Sequence, residues 1–360
     1  MKNKEEKSIE NAVQESTALA RIFGEFLKRK SSGSRIISEI GEKLVSARST
    51  GDSFITLEKP EIDELEKNSS LLTGNDALLF LEGNRLYLYR EYRNEKTLAR
   101  LIADRLLRQA PDNPFSDEAV ANAFPKGPAG DLKPHKNQIA AVRNCLESNF
   151  SIITGGPGTG KTTIIAALVA LELERDPGII IEIAAPTGKA AELLTKGLAA
   201  ELPQHQFKAR TVHSLFKAKP GTGCFGKTAS DPLECDLLIV DECSMINLDV
   251  AAKMFSGLKA ETRVVLSGDH RQLEAIGSGD VLSSLLTFAS DGSAAAGILK
   301  KAGVELTENY RAEKAPSIQF LAHSIREEIP DDELCEKIVR CSEADYQFRK
   351  MEKTSREEIL

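Results

Sequence analysis

Residues Ser151 to Thr163, Ser-Ile-Ile-Thr-Gly-Gly-Pro-Gly-Thr-Gly-Lys-Thr-Thr, constrain this chain more tightly than any other stretch. A short β-branched run, Ser151 to Thr154, predicts a buried strand, and Thr163 to Leu173 predicts an apolar helix. Between them Gly155, Gly160, Lys161 and Thr162 occupy the fixed positions of a phosphate-binding loop. The composition has a physical reason. Gly155, Gly156, Gly158 and Gly160, with Pro157 and Thr159 set among them, let successive backbone N–H groups converge on phosphate oxygens. The following helix, opening near Thr163, presents its positive end to the same charge. Lys161 is expected to reach the β- and γ-phosphates, and the Thr162 hydroxyl to ligate Mg²⁺.

The other strands fall into place around this segment. From Leu132 onward, apolar runs alternate with helical patterns, as in a parallel sheet with crossover helices. Strands are expected at 151–154, 179–183, 237–240, 263–266 and 304–306. Each is followed by a polar cluster: Thr154-Gly155, Ala185-Pro186-Thr187, Asp241-Glu242, Ser267-Gly268-Asp269, and Asn309 to Arg311. Ligands of open parallel sheets bind outside the carboxyl ends of the strands, so these clusters are expected on one edge. Asp241-Glu242 ends the run Leu237-Leu238-Ile239-Val240, with Asp241 placed to hold Mg²⁺ through water and Glu242 to polarise the attacking water. Gln272 and Arg311, each just past a strand end, are further candidates for charge stabilisation.

The N-terminal part reads differently. Val13, Leu19, Ile22, Phe23, Phe26 and Leu27 are spaced for one helix face, and a Ser-Ser-Gly-Ser break at 31–34 precedes more helix to about Ser46. Residues 76–90 predict a hairpin, with strands Ala77–Leu81 and Leu86–Tyr89 about a Gly83-Asn84 turn. Tyr87, Tyr89 and Tyr92 lie among Arg85, Arg90 and Arg93. That mixture suits nucleic-acid stacking or a half-exposed sheet edge docking on a protein, and the second reading is preferred. Leu98 to Leu107 is an amphipathic helix, and the proline- and glycine-rich segment 110–134 reads as a linker.

Composition narrows the class. Of 360 residues, 41% are apolar and 28% charged, as in an ordinary globular chain. The net charge of −7 excludes a globally basic nucleic-acid binder but leaves room for a local basic groove. The 6 cysteines form no C-x-x-C pair, so they read as reduced thiols of a cytoplasmic protein. There is no signal-peptide pattern, and no run of about 18 apolar residues, so no membrane is expected.

Taken together, several segments form an ordered motif set. They are Gly155 to Thr163, Ala185-Pro186-Thr187-Gly188-Lys189-Ala190-Ala191, Thr211-Val212-His213, Asp241-Glu242-Cys243-Ser244-Met245, Gly268-Asp269-His270-Arg271-Gln272-Leu273 and Asn309-Tyr310-Arg311. The set resembles superfamily 1 DNA helicases of the RecD family, the alpha subunit of exodeoxyribonuclease V. The resemblance implies a RecA-like P-loop domain that uses ATP and Mg²⁺, and a motor moving 5′-to-3′ on single-stranded DNA in recombination repair. It further implies RecB-like and RecC-like partners. By the same resemblance Gln138 would read adenine, Gln272 would sense the γ-phosphate, and Arg311 would contact it. Pro186, Thr187, Lys189, Thr211 and His213 would line the strand path, where hydroxyls, amides and a cation suit phosphate oxygens.

Two positions depart from the family pattern: Glu274 stands where proline is common, and Ser214 where arginine is common. Nothing after Arg311 resembles the later helicase motifs. The expectation is therefore a mixed α+β interaction domain (1–130), an α/β P-loop motor domain with a parallel sheet (131–330), and a charged tail or the start of a truncated second domain (331–360), with the second motor domain missing. An independent repair helicase and a non-hydrolysing nucleotide-binding subunit are the alternatives.

Overall fold

The computed structural model describes residues 18–73, 77–109, 111–124, 134–272 and 278–308. The chain opens with helix α1 (18–30), then α2 (Arg35–Ser49), β1 (Phe54–Thr56), α3 (Lys59–Lys67), β2 (Leu79–Glu82) and β3 (Arg85–Leu88). Next come α4 (Tyr89–Leu106), α5 (Asp117–Asn122), α6 (Lys136–Leu146), β4 (Phe150–Gly155), α7 (Lys161–Arg175) and β5 (Ile181–Ala185). They are followed by α8 (Gly188–Glu201), β6 (Arg210–Thr211), α9 (Val212–Leu215), β7 (Leu237–Val240) and α10 (Leu248–Ser256). The last are β8 (Arg263–Gly268), α11 (Val281–Ala289), α12 (Ala294–Lys301) and β9 (Gly303–Leu306). The main compact unit comprises Met1–Gly155 and Lys161–Glu305, and Gly156–Gly160 groups with the chain from Leu306 onward.

The larger sheet has six strands in the order β6-β5-β7-β8-β4-β9. The pairs β4 with β8, β8 with β7, β7 with β5, and β5 with β6 are all parallel. All five strands expected from the sequence form. β6 is an addition, a two-residue strand too short to leave a periodic trace. Every residue of β4, β7 and β8 is buried, so helices must cover both faces. Phe150, Ile152, Leu238, Val240, Val264 and Leu266 share one core with Leu98 and Ile102 of α4, Met254 and Phe255 of α10, Leu282 of α11 and Leu299 of α12. Pleat alternation turns Ser151, Ile153, Leu237, Ile239 and Val265 to the other face, covered by α6, α7 and α8, which pack on one another. This is the α/β layering of a RecA-like P-loop domain.

The expected hairpin is present, but it belongs to a three-stranded antiparallel sheet of order β1-β3-β2. β3 is therefore a middle strand rather than an edge. Tyr87 is buried there, Tyr92 stacks on Phe80 at 3.7 Å between centroids, and the Arg85 guanidinium lies over Phe54. Tyr87 and the half-buried Tyr92 are thus packed inside, whereas Arg85, Tyr89, Arg90 and Arg93 are exposed. The strand also ends at Leu88 rather than Tyr89, because Glu91, Leu98, Ile102 and Arg105 share a helical face that extends α4 back to Tyr89. Leu27, Ile37, Ile40, Leu44, Leu57, Leu65, Leu71, Leu79 and Leu86 fill a separate small core beneath this sheet. α1 buries Ala20 and Leu27, whereas Leu19, Ile22 and Phe26 of the expected apolar face are exposed. Gly24 decides which side packs: a Cβ there would come within 2.7 Å of the Ser38 carbonyl oxygen on α2. The proline-rich linker is not featureless either; it holds α5, whose N-cap Ser116 hydroxyl accepts from the Ala119 N–H.

α4 ties the N-terminal part to the larger sheet. Arg105 is buried and donates to the carbonyl oxygens of Thr262 at 3.0 Å, Lys259 at 2.9 Å and Leu101 at 2.9 Å. Its guanidinium also lies over the Phe255 ring. Burial lowers its pKa to about 10, so it remains a cation at neutral pH. Nearby, Asn94 donates to Asp249, and the Gly279 N–H donates to the Gly51 carbonyl at 2.7 Å. Among the described residues no single helix is long and apolar enough to cross a membrane.

Removing the guanidinium would take a donor from the Thr262, Lys259 and Leu101 carbonyls at once. Arg105→Ala is expected to destabilise the protein by about 3 kcal/mol, since bonds to charged groups carry roughly 1.5–3 kcal/mol each. Arg105→Lys should recover less than half of that, because one ammonium cannot reach the three carbonyls at once. Urea unfolding of the two variants checks this; full recovery by lysine would show that charge, rather than fork geometry, holds α4.

Candidate active site

Parallel strands send their carboxyl ends to one edge, and the register places the polar residues side by side there. Thr154 pairs with Gly268, Val240 with Leu266, Ala184 with Val240, and Ala185 with Thr211. Lys161, the first residue of α7, is 9% exposed, and its ammonium donates to the Gly155 carbonyl at 2.6 Å. Within the Gly156–Gly160 turn, Gly158 and Gly160 have φ of 82° and 86°, a left-handed backbone that side chains resist. The Thr159 hydroxyl donates to the Gly156 carbonyl at 2.9 Å, and Pro157 is exposed. Thr162 and Thr163 follow on α7, both half-buried, with the Thr162 methyl turned toward Gly197 of α8.

Asp241 is buried at the end of β7 and accepts from the Ser267 hydroxyl at 2.7 Å. Burial raises its pKa; the Ser267 hydrogen bond and Lys161 work against that rise. Glu242 is half-buried, and burial together with Asp241 and Asp269 raises its pKa, while Lys161 opposes them. Its backbone is left-handed at φ 53°, a conformation costing a non-glycine residue roughly 1–2 kcal/mol. That bend starts the Cys243–Met245 turn, which lies close over Gly268: a Cβ there would meet Cys243 Sγ at 3.0 Å. Burial raises the Cys243 thiol pKa, so it stays a packed thiol.

Asp241 and Glu242 thus lie near the Lys161 ammonium, and burial makes their negative charge costly. A divalent cation held by hard oxygen donors would offset it, so these residues fit Mg²⁺. Ser267 was not singled out from the sequence. The available signal was a serine ending an otherwise aliphatic strand, Val264-Val265-Leu266, where a polar side chain needs a partner.

The remaining candidates divide. Gln138 is buried in the first turn of α6, where its side-chain oxygen accepts from the His135 N–H at 3.0 Å in a capping box. Gln272 is exposed past the end of β8, its N–H donating to the Asp269 carbonyl at 3.1 Å. Pro186, Thr187 and Lys189 sit at the end of β5, beside Thr211 and His213 at the end of β6. Thr187 and Thr211 each cap a helix, accepting from Ala190 at 3.2 Å and Ser214 at 3.1 Å. Lys189 and His213 are exposed, and the His213 ring stands edge-on to Phe225. Arg311, with Asn309 and Tyr310, lies outside the described residues, as do Leu273 and Glu274.

A parallel sheet covered on both faces, a lysine-bearing glycine turn after one strand and a carboxylate pair after another define a P-loop NTPase domain of RecA-like type. Known proteins place it more finely. A family described as AAA domain matches residues 138–278. The RecBCD enzyme subunit RecD of Haemophilus influenzae is 32% identical over 283 residues, which is 69% of this chain and 44% of that protein. The ATP-dependent RecD2 DNA helicase of Deinococcus radiodurans is 32% identical over 267 residues, 74% of this chain and 33% of that protein. The chain therefore belongs to the RecD-like superfamily 1 helicases, and it spans about half the length of the curated RecD subunits it matches. The crystal structure of Pif1 helicase from Candida albicans aligns at 20% identity and a TM-score of 0.40, covering 59% of this chain and 48% of that one. Likeness at that level decides nothing about function.

The raised pKa of Asp241 has a sign that can be tested. The folded protein takes up a proton there more readily than the unfolded chain. The cost of its charge is absent at acid pH and sets in as pH rises through the raised pKa. Asp241→Asn keeps an acceptor for Ser267 without the charge. Free of metal and nucleotide at mildly alkaline pH, it should melt above the parent, by roughly 2–4 °C per kcal/mol relieved. Thermal melts across pH should show the gap closing toward acid; a lower Tm at alkaline pH would mean the charge is already compensated.

Proposed function

We propose that this chain binds Mg·ATP and works in an ATP-dependent DNA helicase or translocase of RecD type. The observation that carries the reading is the convergence of Lys161, Asp241 and Glu242 on one sheet edge, where β4 ends at Gly155. The Gly155–Gly160 backbone would cradle the phosphates, joined by the Lys161 ammonium once it leaves the Gly155 carbonyl. Asp241 and the Thr162 hydroxyl would hold Mg²⁺, whose charge when bound neutralises phosphate oxygens. Glu242 would accept a proton from the attacking water. Its raised pKa places it nearer neutrality, where a base both accepts and returns a proton readily. Gln272 would report the γ-phosphate and Arg311 would contact it, while Gln138 would read adenine from its capping position.

Pro186, Thr187, Lys189, Thr211 and His213 would face single-stranded DNA. Their adjacency on β5 and β6 supports one sequence-independent track. In this reading residues 1–130 form an interaction region, 131–330 the motor and 331–360 a charged tail. The setting would be a cytoplasmic RecBCD-type exodeoxyribonuclease V complex with RecB-like and RecC-like subunits, acting 5′-to-3′ in double-strand-break repair and recombination. The equal identity to a RecD2 helicase supports a second reading, an independent repair helicase.

Glu242→Gln distinguishes the base from a metal holder. It keeps shape and hydrogen bonding but cannot take the proton, so Mg·ATP should still bind. Hydrolysis, measured with and without single-stranded DNA, should fall about 100-fold or more. Parent hydrolysis should rise when single-stranded DNA is added. Lost nucleotide affinity in the variant would assign Glu242 to metal or structure, and unchanged turnover would remove it from the chemistry.

A further inference from the structure

We propose that Gly197 is a positioning residue for the metal site, seating the methyl of Thr162 so that its hydroxyl holds one orientation. This rests on the P-loop reading above. α8 meets the first turn of α7 with bare backbone: a Cβ built on Gly197 would lie 2.8 Å from Thr162 Cγ2 and 4.0 Å from its Cβ. Carbon atoms do not approach that closely, so any side chain at 197 must displace the threonine or part the helices.

Backbone freedom does not explain this glycine. Gly197 lies inside α8 and is absent from the positive-φ residues, so an alanine would suit its conformation. Glycine is the poorest interior helix former after proline. What the position requires is the absence of a Cβ, and the atom occupying that space belongs to the expected Mg²⁺ ligand.

The chemistry of threonine turns this contact into control. One torsion, χ1, carries both the methyl and the hydroxyl, so whatever fixes one fixes the other. In helices threonine divides between two χ1 wells. A methyl seated against Gly197 selects one of them, and relief of a clash by rotation would swing the hydroxyl away by a full rotamer step. Retreat of α8 would free the methyl and leave both wells open. Either way the oxygen loses its set direction, and metal ligands depend on such outer contacts for affinity. α8 also carries Thr187 and Lys189 at its start, so the helix that seats the metal ligand is the one whose first turn meets the strand-end track.

The test uses the full chain and a fluorescent ATP analogue, titrated with Mg²⁺ to find the concentration giving half-maximal nucleotide binding. Melting temperatures without ligand are read in parallel. Gly197→Ala is expected to raise the Mg²⁺ midpoint about 10- to 100-fold. Thr162→Ser keeps the hydroxyl and deletes the methyl, so Gly197→Ala made in that background should leave its midpoint unchanged. A lower melting temperature with an unchanged Mg²⁺ midpoint would reduce Gly197 to helix packing and overturn the proposal. Failure of serine to rescue would overturn it too. Should Gly197→Ala alone not fold, the double variant compared with Thr162→Ser carries the decision: equal midpoints support the proposal, and about a tenfold difference overturns it. Parent protein that binds no nucleotide in Mg²⁺ would instead overturn the P-loop reading itself.

Discussion

Parallel pairing fixes where this chain can do chemistry. Strands running in one direction need crossover helices, and those helices bury both faces of the sheet. β4, β7 and β8 are accordingly buried through their length, and the polar residues of the site come where the strands run out. Gly155, Asp241, Asp269, Thr187 and Thr211 all follow or end strands of this sheet. The site is thus a consequence of direction, and its residues meet across large distances in sequence because the register leaves them no other edge.

The same edge collects charge that burial penalises. Lys161 folds onto the Gly155 carbonyl, Asp241 takes a hydroxyl from Ser267, and Glu242 holds a left-handed backbone beside both. Strain and buried charge of this kind cluster at functional sites. Other buried charges of the chain pair with one another or with backbone carbonyls. Glu172, fully buried at the far end of α7, pairs with Arg263 at 2.5 Å and with Arg175. Arg105 finds three carbonyls. α4 holds the N-terminal part against the turn before β8, and the Gly51–Gly279 bond ties it to the chain that follows β8.

Much of this was legible in the residues, for reasons that differ by element. The buried strands were readable because continuous β-branched runs between turn residues have few other solutions, and Lys161, Asp241 and Glu242 because their motifs tie residue type to place. β6 was not, since two residues carry no period. Tyr89 was misplaced in a strand because aromatic alternation at Leu86–Tyr89 outweighed the helical spacing of Glu91, Leu98 and Ile102 that begins there. The buried side of α1 was misjudged because its apolar residues run around the helix, and Gly24 chose the face through a contact no local pattern encodes. Ser267 and Gly197 escaped for a related reason. Each matters through one atom of a residue distant in sequence, Asp241 Oδ1 or Thr162 Cγ2.

The central claim is that the edge around Lys161 is a Mg·nucleotide site. Titration calorimetry of ATP in the presence of Mg²⁺, comparing the parent chain with Lys161→Ala, tests it most directly. Replacing the ammonium removes a cation that lies near the Gly155 carbonyl and the Asp241–Glu242 carboxylates. The account predicts Mg²⁺-dependent binding by the parent and loss of at least about tenfold in affinity in the variant, with an unchanged melting temperature to within a few degrees. Equal affinities in the two proteins would contradict it.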